Sequence, residues 1–417
     1  MHEIDVFVAV MGGLVLAIGL VSELLRRGVV SETMIALAAG VVIGPHVFGF
    51  VDASGLGKDA ETVVEEGALV TLAIALMAIA LRIPRHEWLR LWRPVALLLA
   101  VLMPVMWTVS GALTYWIVGG SFWLAMVVGG VLAPVDPVLS ESIASGEIAR
   151  RNVPTSLRHA LLAESGANDG LALPLVAVAS LLFAQSPGTA LRHWALSDVL
   201  LGVFGGIALG AVVGYVAGKL VEVARRRETI EEIYFYAFTI AISLLVLGVA
   251  GLARVDQLLA VFAAGVAVVV AFDDEDDRVR QEHSQESVNR FFSLPIFVLL
   301  GFVLPWDEWA RLGWRAPALA AAVLVLRRLP AALALTPLVP RLGSWRGTFF
   351  LGWFGPIGVA ALYYAASAAR ETGERAPWVL GTLVICASVL AHGVTAGPLT
   401  RLLGRVHPAS PRNVDER

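Results

Sequence analysis

Two aspartates stand where charge is expensive. Asp136 lies in Leu132-Ala133-Pro134-Val135-Asp136-Pro137-Val138, and Asp169 lies in Ala163-Glu164-Ser165-Gly166-Ala167-Asn168-Asp169-Gly170, both within long apolar runs. Ser165 and Asp169 are four residues apart and share one face of a helix, while Glu164 and Asn168 share the neighbouring face. The first face offers a hydroxyl and a carboxylate, hard oxygen ligands suited to Na+ or Li+. Asp136 could add a second carboxylate across the helix pair. The second face offers Glu164, which needs a counter-ion, and Asn168, which can orient it. Arg327 and Arg328, set between Leu319 and Leu335, are the available cations. A buried carboxylate beside a guanidinium forms a structural clamp. Because the two arginines adjoin, one of them is expected to snorkel to the cytoplasmic interface.

The chemistry follows from burial. A carboxylate taken out of water holds its proton, and a cation bound beside it displaces that proton. A proton and a metal cation would then compete for Asp169 and Asp136. Competition at one site, opened alternately to each side, is sufficient for exchange transport. Asn168 adds no titrating charge where a second aspartate would, so one cation is expected to move against one proton with no net charge.

The elements that must hold these residues are membrane spans. Of 417 residues 58% are hydrophobic and 16% charged, against roughly a quarter charged in soluble domains. A net charge of −3 offers no polybasic surface for nucleic acid, and the single cysteine, Cys386, excludes an internal disulfide. The first apolar run follows an acidic start, without a clear cleavage site, and is expected to be retained. At about twenty apolar residues per span, the expectation is an all-α polytopic membrane protein with about thirteen transmembrane helices. Arginines gather after alternate spans, at Arg26 and Arg27, Arg82 to Arg93, Arg150 to Arg158, Arg225 to Arg227, Arg341 and Arg346, and Arg401 to Arg412. That side is expected to be cytoplasmic, with the N-terminus outside and the C-terminus inside. Residues 1–407 form a single transmembrane unit, and 408–417 a short cytoplasmic tail.

Two spans are interrupted in corresponding places, one at Pro134 and Pro137, the other in Gly352-Trp353-Phe354-Gly355-Pro356-Ile357-Gly358. If spans one to six and eight to thirteen are two copies, these breaks pair, and the odd offset inverts the second copy. The expectation is an inverted repeat whose broken helices cross at the midplane and expose carbonyls where an ion binds.

At these residues the sequence resembles the NhaP-like branch of the monovalent cation/proton antiporters. Further matching stretches are Arg327-Arg328-Leu329-Pro330, Leu390-Ala391-His392-Gly393 and Gly40-Val41-Val42-Ile43-Gly44-Pro45, so the resemblance covers nearly the whole chain. The Asn168-Asp169 pair and the tryptophan-containing second break are most similar to the fungal plasma-membrane exchangers and their bacterial relatives. The resemblance implies a homodimer in the cell membrane, exchanging Na+ or Li+ for H+ without a cofactor. It implies a moving core (around 68–184 and 291–403) against dimerisation or scaffold helices (around 5–48 and 197–272). It also implies cation and proton binding by Asp136, Ser165, Asp169 and the Val135 carbonyl, beside Glu164, with Arg328, Arg327 and Asn168 as the clamp. Val135 departs from the family's usual threonine, which costs little if only the carbonyl ligates.

Other features admit bland readings. Gly202, Gly206, Gly210, Gly214 and Gly218 form a stripe that lets a helix approach closely, for a dimer interface or for packing between domains. The Asp273–Asp277 cluster could gather cations, or be a solvated loop, and His283 could sense pH. His392 is expected to be a hydrogen-bonded packing residue. A K+/H+ exchanger fits the same ligand set. A channel lacks a filter motif, and an intramembrane hydrolase lacks a Ser/His dyad or zinc motif.

Overall fold

The computed structural model describes residue 9 and residues 12–20, 30–49, 60–136, 139, 152–229, 234–271, 291–338 and 345–406. Pro137, Glu141, Arg150, Arg151, His283, the 273–290 acidic loop and the 408–417 tail lie outside them. Among the described residues every regular element is helical. A helical stretch at 12–20 precedes α1 (Glu32–Ile43), α2 (Ala60–Arg82), α3 (Arg85–Ile117), α4 (Phe122–Val131), α5 (Thr155–Ala184), α6 (Pro187–Arg226), α7 (Tyr234–Ala253) and α8 (Gln257–Ala271). The second half runs through α9 (Phe291–Phe302), α10 (Trp306–Leu312), α11 (Arg315–Leu326), α12 (Leu329–Ala334), α13 (Trp345–Trp353), α14 (Val359–Thr372) and α15 (Ala376–Val406).

Length and composition make this a membrane protein. Among the described residues six helices are long and apolar enough to cross a bilayer, and α9 with α10, bent by 63°, make a seventh if taken as one span. The shorter apolar helices α1, α4, α7 and α8 accompany them. At about 1.5 Å per residue, the 23 residues of α2 match a hydrocarbon core about 30 Å thick. α2 and the middle of α5 are buried around their whole circumference and form the centre of the bundle. α6 instead exposes Leu200, Phe204, Val212, Val216 and Leu220, an apolar face suited to lipid.

Both interruptions foreseen from proline and glycine are present. α4 stops at Val131, and the chain continues to Asp136 without helix. α13 stops at Trp353, and α14 begins at Val359. The two breaks meet, with Asp136 N–H donating to Pro356 O at 2.8 Å.

The glycine stripe packs within the chain. Gly206, Gly210, Gly214 and Gly218 are buried against α8 of the same chain and the Asp256 turn before it. A Cβ on Gly210 would lie 2.7 Å from Ala260 C, and one on Gly206 would lie 2.8 Å from Asp256 O. Backbone meets backbone here, so neither partner can give way.

Gly210→Leu should therefore lower stability in detergent by about 1–3 kcal/mol, the cost of overpacking. Gly248→Ala, which meets nothing within 4 Å, should be neutral or stabilising by up to about 1 kcal/mol. Thermal unfolding of the two variants measures the contrast.

Candidate functional site

A broken helix in hydrocarbon leaves main-chain groups that must find partners inside the protein. At the first break, Arg327 Nη1 donates to Leu132 O and, at 3.2 Å, to Pro134 O. Its Nη2 donates to Gly355 O in the second break. One guanidinium thus ties both breaks together through three carbonyls. Arg328 Nε donates to Leu351 O at 3.0 Å. Both arginines are 2% exposed, which corrects the expectation that one of them snorkels. The arginines adjoin because the carbonyls and the carboxylate that they satisfy are both central.

Two further groups of the second break are held from α15. His392 Nε2 donates to Trp353 O at 2.9 Å, and Ser388 Oγ accepts Ile357 N–H at 2.7 Å. Ser388 Oγ also lies 3.0 Å from His392 Nδ1. His392 is thus the hydrogen-bonded packing residue foreseen from the sequence.

Asp136 sits at the crossing. Its Oδ1 accepts Leu139 N–H at 3.1 Å, and its Oδ2 accepts the N–H of Val359, the first residue of α14. A carboxylate at a helix N-terminus meets unpaired N–H groups and the positive end of the dipole. Gly358 is needed here, because a Cβ would strike Asp136 Oδ2. Gly355 is needed in the same way, because a Cβ would strike Arg328 Cδ. The sequence flagged Asp136 but gave no sign that it would cap a helix 220-odd residues away; only the glycine before Val359 hinted at a close approach.

α5 supplies the rest. Glu164, 1% exposed, accepts two parallel hydrogen bonds from Arg328, at 2.7 Å from Nη1 and 2.6 Å from Nη2. Asn168 Nδ2 donates to Glu164 Oε1 at 3.4 Å, while its Oδ1 accepts Val135 N–H at 3.1 Å. Asn168 therefore orients Glu164, as read from the spacing, and also pins the first break beside Asp136, which the spacing did not reveal. Ser165 Oγ donates to Leu162 O at 3.2 Å and keeps lone pairs free to accept a ligand.

Asp169 differs from all of these. It is fully buried, and among the described residues neither carboxylate oxygen has a hydrogen-bond partner. Its backbone is held, since Tyr364 Oη donates to Asp169 O at 2.5 Å. The scaffold fixes the main chain and leaves the carboxylate bare, which fits a residue whose partner is a mobile ion or proton.

A family model described as "Sodium/hydrogen exchanger, transmembrane" matches residues 10–402. The chain is 31% identical to Na(+)/H(+) antiporter 2 of Zygosaccharomyces rouxii, over 90% of this chain and 50% of that protein. It is 29% identical to a Na(+)/H(+) antiporter of Schizosaccharomyces pombe, over 94% of this chain and 89% of that protein. The chain spans about half the length of several of the curated relatives it matches. The fold superposes on a sodium proton antiporter from Methanocaldococcus jannaschii with a TM-score of 0.74 at 18% identity, covering 96% of this chain and all of that one.

Removing one partner of a buried, bidentate pair strands the other, at a cost of about 3–5 kcal/mol. Arg328→Ala should unfold at a markedly lower temperature than wild type. Glu164→Ala should lose stability while retaining cation affinity. Thermal unfolding and isothermal cation titration separate the two effects; a stable Glu164→Ala that fails to bind would contradict the clamp assignment.

Proposed function

Because the chain belongs to the sodium/hydrogen exchanger family, we propose that it is an electroneutral antiporter that moves Na+ or Li+ against H+ across the cell membrane. The observation that carries this reading is the Asp169 carboxylate, fully buried and with neither oxygen hydrogen-bonded among the described residues. A desolvated carboxylate needs a proton or a cation, and it holds one in place of the other. Ser165 Oγ, one turn earlier, and Asp136 with the Val135 carbonyl complete an oxygen-rich ligand set suited to a small monovalent cation. Asp136 is the less mobile partner, since two N–H groups already occupy its oxygens. The transported ions are the only small molecules that this scheme needs.

Alternating access divides the helices into a core (68–184 and 291–403) that carries the site and a scaffold (5–48 and 197–272) on which it moves. The scaffold pairs with that of a second copy to form a homodimer. The arginine distribution supports an external N-terminus and a cytoplasmic C-terminus. Electroneutrality rests on Asn168, whose amide is spent on Glu164 and Val135 and carries no proton through the cycle.

Reconstituted protein should dissipate an imposed pH gradient when Na+ or Li+ is added, read with a pH dye. Asp169→Asn should abolish exchange without loss of fold. Clamping the membrane potential should leave the rate unchanged. K+ alone driving exchange would reassign the substrate, and failure of all three cations would overturn the antiport reading.

A further inference from the structure

Asp169 is not alone among the described residues in having a buried carboxylate oxygen without a hydrogen-bond partner. Asp256, in the turn between α7 and α8, is 3% exposed, and its Oδ2 has no hydrogen-bond partner among the described residues. Its Oδ1 accepts Leu259 N–H at 2.8 Å, which caps α8. Asparagine or serine caps a helix as well as aspartate, so the cap explains one oxygen and leaves the other unexplained. A buried carboxylate oxygen without a partner is costly as an anion.

Among the described residues no cation is hydrogen-bonded to that oxygen. α6 covers Asp256 so closely that a Cβ on Gly206 would lie 3.4 Å from Asp256 Cβ. Tyr363 and Tyr364 from α14 lie within electrostatic reach of Asp256, and Tyr363 in turn lies within reach of Glu65 from α2 and of Arg370 and Glu371, while Asp198 from α6 lies within reach of Glu371. Arg370 is engaged by Glu65, at 2.7 Å and 3.1 Å. Arg254, two residues before Asp256, is exposed. The other described groups there are acidic or neutral, and burial raises the pKa of the Asp256 carboxyl toward neutrality.

Asp256 is also placed to matter to transport. A Cβ on Gly170, the residue after Asp169, would lie 2.9 Å from Leu259 N, the group that donates to Asp256 Oδ1. The caps of α8 and the exchange carboxylate thus flank one backbone-to-backbone contact. α8 lies in the scaffold, and α5 and α14 in the core, so this contact belongs to the seam that alternating access must open.

We propose that Asp256 is a second proton-binding site, a carboxyl that carries its proton while α6, α8 and α14 are packed as here and releases it to water when the seam parts. The carboxyl becomes a carboxylate, the proton leaves for solvent, and closing the seam takes one back. The transport consequence rests on the antiport reading; the bound proton does not. Raising the pH would leave Asp256 ionised in the open form, hold the seam apart and slow the cycle.

Infrared spectroscopy of the reconstituted full chain tests the bound proton directly. In an Asp169→Asn background, which removes the exchange carboxylate, a carboxylic acid C=O band should be present at neutral pH and should vanish on adding Asp256→Asn. An unchanged spectrum would mean that Asp256 is ionised and would overturn the proposal. Failure of antiport would appear in the flux assay and leave this band untouched. In Asp169-intact protein, Asp256→Asn and Asp256→Ser should fold and should retain exchange to more alkaline pH than wild type. Superimposable pH profiles, or loss of fold in both neutral caps, would also overturn it.

Discussion

The constraint on which the rest of the structure depends is the satisfaction of main-chain polar groups where two helices break inside the membrane. Hydrocarbon offers no water to a stray carbonyl or N–H, and each orphan costs several kcal/mol. Arg327 answers for three carbonyls, Asp136 for two N–H groups, and Ser388, His392, Arg328 and Asn168 for one each. Every one of these side chains is 5% exposed or less. The breaks exist because Pro134, Gly355, Pro356 and Gly358 prevent helix from continuing, and they persist because polar side chains from α5, from the junction between α11 and α12, and from α15 converge on them.

This accounting separates framework from working group. Glu164 balances Arg328, and Asn168 links Glu164 to the first break, so the charges and amides nearest Asp169 are already committed. The two aspartates marked by the sequence are consequently unequal. Asp136 is bound into the crossing by its own backbone N–H and by both carboxylate oxygens. Among the described residues Asp169 is held through its backbone, with Tyr364 donating to its carbonyl, and neither carboxylate oxygen is hydrogen-bonded. The arrangement combines a rigid surround with a carboxylate left uncommitted among the described residues.

Much of this was legible in the sequence because its signals are local or categorical. Charge within an apolar run, proline and glycine breaks in corresponding places, and the four-residue spacing in Glu164-Ser165-Gly166-Ala167-Asn168-Asp169 each follow from chemistry within one helix. What stayed hidden depends on contacts between helices far apart in the chain. Spacing cannot say that Arg327 points at carbonyls from both breaks rather than at the interface, that Asp136 caps α14, or that the stripe from Gly206 to Gly218 faces α8. Asp256, at the head of an apolar helix, has the sequence pattern of an ordinary cap; only its enclosure beneath α6 distinguishes it.

The central claim is that one carboxylate, Asp169, trades a proton for a cation. The most direct measurement is the number of protons released when Na+ is added to purified protein in weakly buffered detergent solution, near the midpoint of its activity. The account predicts about one proton released per cation bound, with the release lost in Asp169→Asn. Cation binding without proton release, or release that survives that substitution, would contradict it.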